Sequence, residues 1–220
     1  MRNTSLTIVC LPQGTPTDQV AARAATRVAA TSLTSLGGAG HFITATRLRR
    51  GRLLQPWKGT AAGGPVRFLD LDAMRVAAHR AFWYRWRVWN WVVAGTRPAQ
   101  PYWSFLDRHR ANPLRYPIVK AQQHYLAQPR IAAMLTYNAL PSRSTFLPTG
   151  HVEALQAGAT TYAHYGWLCA VPGQRLIGLN GTYLVAAGDR YATHLAYLSQ
   201  ANERIAALHS RDILVALCTR

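Results

Sequence analysis

Apolar and polar positions repeat in distinct ways along this chain, and each pattern predicts a different element. From about Leu69 to Ala94 the spacing is helical. Phe82, Trp86, Trp89 and Val93 fall on one narrow stripe, extended backward by Leu71 and Ala78, while Arg80, Tyr84, Arg87 and Trp91 fall opposite. Asp70 and Asp72 stand in its first turn, where a carboxylate complements the helix dipole, and Gly95 and Pro98 stop it. Residues 175–187 (RLIGLNGTYLVAA) read as a β-hairpin, with Asn180-Gly181 turning between two apolar runs. Residues 189–218 read as a helix whose apolar stripe is Tyr191, Leu195, Leu198, Ala201, Ile205 and Leu208.

The remaining signals are weaker. Ser5–Leu11 reads as a short strand or an extended start, ended by Pro12 and Pro16. Thr17 or Asp18 then caps a helix over 17–36, which Gly37, Gly38 and Gly40 end. Residues 37–68 are rich in Gly, with Pro56 and Pro65, and predict a connector without a core of its own. A helical pair is expected over 115–140, interrupted by Pro129, and a further helix near 150–165. The expected fold is mainly α, with one β-hairpin near residues 175–187 and an extended basic N-terminal arm. The arm covers 1–68; a mainly helical domain over 69–220 closes with the hairpin and last helix.

Charge changes this picture from architecture to function. The chain has 25 basic residues against 8 acidic ones, a net +17, and all but Lys58 and Lys120 of the cations are arginine. Guanidinium pairs phosphate bidentately and stacks on aromatic rings, so a polyanionic partner follows. The excess is uneven: residues 1–69 hold nine cations and one acid, whereas 151–220 hold five against four. The acid-poor start, rich in Arg, Ser, Thr and Ala, has the composition of a mitochondrial or plastid transit peptide. No apolar run is long enough to span a membrane.

Two groups of residues are candidates for binding. Arg80, Trp83, Tyr84, Arg87 and Trp91 combine indole, phenol and guanidinium in one helix, a mixture suited to a partner protein or to anionic lipid such as cardiolipin. Arg47, Arg49, Arg50 and Arg52 form a compact basic patch for phosphate, with no acid between Gln19 and Leu69 to neutralise it. Catalytic signals are poor. Eight acids leave few general acid–base candidates, and the eight histidines include no HExxH and no i,i+4 pair. His151 with Glu153, and His164 near Cys169, are read as structural. Cys10, Cys169 and Cys218 lack disulfide or zinc spacing and are read as small buried hydrophobes. No cofactor or metal is expected.

The function expected from these residues is that of a non-catalytic accessory subunit of a large mitochondrial inner-membrane complex, respiratory or ATP synthase. It would sit peripherally or on the matrix side, against other protein subunits and cardiolipin. The alternative is an rRNA-binding protein of an organellar ribosome, and behind that a small enzyme or phage structural protein.

Overall fold

The computed structural model describes residues 4–45 and 50–220. In chain order the elements are β1 (Ser5–Leu11), α1 (Val20–Ala29), β2 (Ser35–Gly38), β3 (Phe42–Ile43), β4 (Thr60–Ala61), β5 (Gly63–Pro65), α2 (Leu71–Val92), α3 (Tyr102–Ala111), α4 (Ile118–Leu126) and α5 (Pro129–Ala139). They continue with α6 (Val152–Gln156), α7 (Ala159–Cys169), β6 (Arg175–Ile177), β7 (Tyr183–Val185), α8 (Tyr191–Ala206) and β8 (Ile213–Thr219). Helix is the larger share, beside one mixed sheet. The chain forms two compact units, and α2 and α7 contribute residues to both.

The first unit takes the described residues up to Ala78, with Trp167–Gly188 and Ala192–Arg220. Its sheet runs β2-β8-β1-β6-β7, and β5 also pairs with β8. β1 lies parallel to β6 and antiparallel to β8, which follows it residue for residue from Ser5 opposite Thr219 to Leu11 opposite Ile213. Both central strands are almost wholly buried, which is why they read as unbroken apolar runs rather than alternating ones. On one face Val9, Leu11, Val215 and Leu217 pack with Val20, Ala24 and Val28 of α1. The alternate residues Ile8, Cys10, Leu214 and Ala216 are also buried. β8 is closed on its other side by β2 and β5. Gly63 makes the β5 pairing possible: a β-carbon there would run into the Leu214 carbonyl oxygen.

The second unit is helical, comprising His79–Gly166 and Asp189–Tyr191. Its core gathers Trp89, Val93, Phe105, Tyr125, Ile131, Met134, Leu155 and Tyr162. Pro129 stands at the start of α5, where its missing amide would have no helical partner anyway.

Several expectations are corrected. The described residues of 1–68 are not an extended arm. Ser5–Leu11 is the middle of the sheet, α1 covers it, and Phe42, Ala61, Ala62 and Phe68 are buried. Of the glycines that suggested a connector, Gly63 lets β5 approach β8 closely. The expected division at residues 68 and 69 gives way to the two units above, each built from separated segments. The last helix ends at Ala206, and 213–219 is a strand. ILVALCT has the β-branched, all-apolar character of a strand buried on both faces, which a helical stripe ending at Leu208 did not reveal. The hairpin forms, with Ile177 opposite Tyr183. Its turn is longer than two residues: the Gly178 amide donates to Thr182 O at 2.9 Å, and Gly181 takes the left-handed conformation at φ 82°. That is the geometry of a three-residue loop closed by glycine. α3 was not foreseen, because Pro98, Pro101 and a scattered apolar pattern conceal it.

Candidate anion-docking surfaces

α2 is started by Asp70, whose Oδ1 accepts the Ala73 amide at 2.9 Å. Its aromatic residues divide by face. Inward, the Phe82 ring packs 4.9 Å from Tyr162, and Trp86 Nε1–H donates to Leu155 O at 2.9 Å. Trp89 is buried against Arg130, whose guanidinium lies over the indole. Outward, Arg80, Trp83, Tyr84, Arg87 and Trp91 are all exposed. Trp83 and Tyr84 show 44% and 45% of their surface and Trp91 shows 73%, so each leaves a large part of its ring open to solvent. The Arg87 guanidinium sits 5.0 Å from the Trp83 ring centroid, a cation–π pair that pre-arranges charge over indole. No acid follows Asp72 on this helix. The fold therefore brings the first predicted group together on one exposed helical face, roughly 16 Å long at the rise of an α-helix.

The second group is met only in part. Arg47 and Arg49 lie outside the described residues. Arg50 opens a short 3₁₀ turn, Arg50–Arg52. Arg52 is exposed and lines a cleft of about 620 Å³ in the first unit, together with Arg67 and Arg211. The cleft opens where β1 ends. Loop 13–17 forms one wall, with Gly14 left-handed at φ 83°, and Val20, Leu54 and Ile213 form an apolar wall. Neither the 3₁₀ turn Thr17–Gln19 nor α1 behind it has a side-chain cap. Arg67 and Arg211 were missed because they lie far from Arg52 in sequence. Only the pairing of β5 with β8 brings their strands side by side.

Of the residues considered for chemistry, His151 and Glu153 have aromatic partners. His151 Nδ1 pairs with Tyr162 Oη at 3.1 Å within an aromatic cluster, while Glu153 accepts Trp103 Nε1–H at 2.9 Å. No group of three or more metal-ligating side chains occurs among the described residues. Burial pushes the Cys10 thiol up to about 12, partly opposed by the Arg27 guanidinium, so it is an inert thiol. His41 is held below its usual range by burial, with its Nε2–H donating to Val171 O at 3.1 Å. No helix is long and apolar enough to cross a membrane among the described residues. Neither a protein-family model, nor a curated protein, nor a solved structure matches the chain.

Proposed function

We propose that the protein is a non-catalytic, cationic subunit that docks at an anionic membrane surface through the outer face of α2. One observation carries this reading: Arg80, Trp83, Tyr84, Arg87 and Trp91 share an exposed face with no acid among them. Indoles and phenols favour headgroup depth, where one end of the ring is apolar and the other wet, and guanidinium pairs with lipid phosphate. The net charge of +17 draws the whole molecule to such a surface.

Within this proposal the membrane is the mitochondrial inner membrane and the assembly one of its complexes, because cardiolipin offers paired phosphates to paired guanidinium groups. The composition of the N-terminus does not support that location, since β1 and α1 account for it. The experiment is co-sedimentation of the full chain with vesicles of neutral lipid alone or with cardiolipin added. Binding that requires cardiolipin, weakens with salt and is lost in an Arg87→Gln, Trp91→Ala variant supports the proposal. Equal binding by that variant would refute it.

The charge also favours a second reading, rRNA binding in an organellar ribosome, since counterion release makes arginine-rich surfaces bind nucleic acid strongly at low salt. Release of the protein from its assembly by nuclease but not by mild detergent would select that reading.

A further inference from the structure

The arginine-lined cleft at the end of β1 is independent of α2 and has a different character. It is concave and of ligand size, whereas the α2 surface is one exposed helical face. We propose that it binds an organic phosphate of nucleotide size, with phosphate at the Arg52, Arg67 and Arg211 end and the remainder of the ligand against the apolar wall.

Four observations carry the proposal. The three arginines come from separate parts of the chain, a 3₁₀ turn, the segment after β5 and the start of β8, and they meet at one cleft. Among the described residues none of the three forms a salt bridge; the ion pairs seen belong to Arg75, Arg110 and Arg190. Three exposed cations around one cavity raise its positive potential, which favours an entering anion. Asp212, which follows Arg211 in sequence, is buried, and its two oxygens already accept the Gln13 and His209 amides. It lowers the local potential without occupying the guanidinium groups.

Backbone supplies the third observation. In loop 13–17 the Gln13 amide is taken by Asp212 and the Thr15 amide by Pro12 O, and the 3₁₀ turn that follows has no side-chain cap hydrogen bond. Asp18, the one acid in that turn, is exposed and does not line the cleft. The fourth is the opposite wall. Val20, Leu54 and Ile213 belong to or pack against the core and line the cleft with apolar groups. A volume near 620 Å³ suits a mononucleotide and leaves no room for several stacked nucleotides.

The test is calorimetric titration of the full chain with ADP, with inorganic phosphate, and with a short single-stranded oligonucleotide. ADP is expected to bind at one site, more tightly than phosphate. Arg52→Gln, Arg67→Gln and Arg211→Gln should each weaken ADP about tenfold, the consequence of losing one charge-assisted hydrogen bond. Thr17→Asp, which adds a negative charge at an exposed wall position, should weaken it without unfolding the chain. Arg143→Gln, in the second unit and not among the lining residues, should leave it unchanged. Thermal melting of every variant separates lost binding from lost fold. Absence of ADP binding by the native protein overturns the proposal. So does undiminished binding by the three arginine variants, or an oligonucleotide that competes at the same residues and binds more tightly than ADP.

Discussion

The Asp212 carboxylate accepts the Gln13 amide at 2.9 Å through one oxygen and the His209 amide at 2.8 Å through the other. One side chain thus ties the loop that leaves β1 to the turn that begins β8, the two strands at the centre of the sheet. Asp212 is 6% exposed, and both of its bonds are part-buried. Asp212→Ala is therefore expected to destabilise the chain by about 1–3 kcal/mol, the cost of losing two charge-assisted hydrogen bonds. Asp212→Asn, which keeps one acceptor oxygen, should cost about half as much. Urea denaturation of the three proteins measures both.

Gly166 lies against the Phe82 ring, so closely that a β-carbon would overlap it. In an exposed helix Gly→Ala gains about 1 kcal/mol of propensity. Here the sign reverses, because Phe82 is itself held between Tyr162, Tyr165 and His151 and cannot retreat. Gly166→Ala should lose about 1–3 kcal/mol net through overpacking. Gly150→Ala, where a β-carbon meets nothing within 4 Å, should change stability by no more than about 0.5 kcal/mol. Thermal melting distinguishes the two.

His41 makes stability depend on pH in a defined direction. Its pKa in the folded chain lies below the reference 6.5, because burial disfavours imidazolium. Between 6.5 and that lower value the unfolded chain binds a proton that the folded chain refuses. Stability is thus full above 6.5 and falls as pH falls through it, by at most about 1.4 kcal/mol per pH unit for one proton. His41→Gln should flatten the profile of unfolding free energy between pH 7 and 5, whatever its effect on stability at pH 7. A slope identical to that of the native protein would exclude His41 as its source.

These relationships also explain what could be read in advance. The α2 stripe was legible because a helix half in a core and half in solvent writes its faces into the sequence at a 3.6-residue period. The hairpin was legible because Asn180-Gly181 supplies the left-handed residue that a tight loop needs. Ser5–Leu11 was legible as a short strand but not as the middle of a sheet. β8 is covered on both faces and carries no alternation, and β2, β3, β4 and β5 are four residues or fewer, two of them built on paired glycines. The Arg52, Arg67 and Arg211 cleft was hidden for the same reason, since it exists only once β5 pairs with β8. Charge density pointed to the segment holding Arg52 but could not indicate its two partners.

The four tryptophans of α2 separate stability from docking, and this is the sharpest expectation. Trp86 donates Nε1–H to Leu155 O, whereas Trp89, the more deeply buried, has an indole N–H without a hydrogen-bond partner. Trp86→Phe gives up a hydrogen bond of about 1 kcal/mol in addition to the lost ring volume; Trp89→Phe gives up volume, keeps an aromatic face under Arg130 and removes an unsatisfied donor. Trp86→Phe should therefore be the more destabilising of the two by about 1 kcal/mol. Trp83→Ala and Trp91→Ala, on the exposed face, should change stability by about 0.5 kcal/mol or less. Vesicle binding should rank them in the opposite order. The exposed pair and their neighbours Arg80 and Arg87 should each reduce affinity for cardiolipin vesicles, the arginines about fivefold apiece, corresponding to about 1 kcal/mol per charge near an anionic surface. The folded Trp86 and Trp89 variants should bind as the native chain does. If all four tryptophan variants lost binding in proportion to their loss of stability, the outer face of α2 would have no docking role of its own.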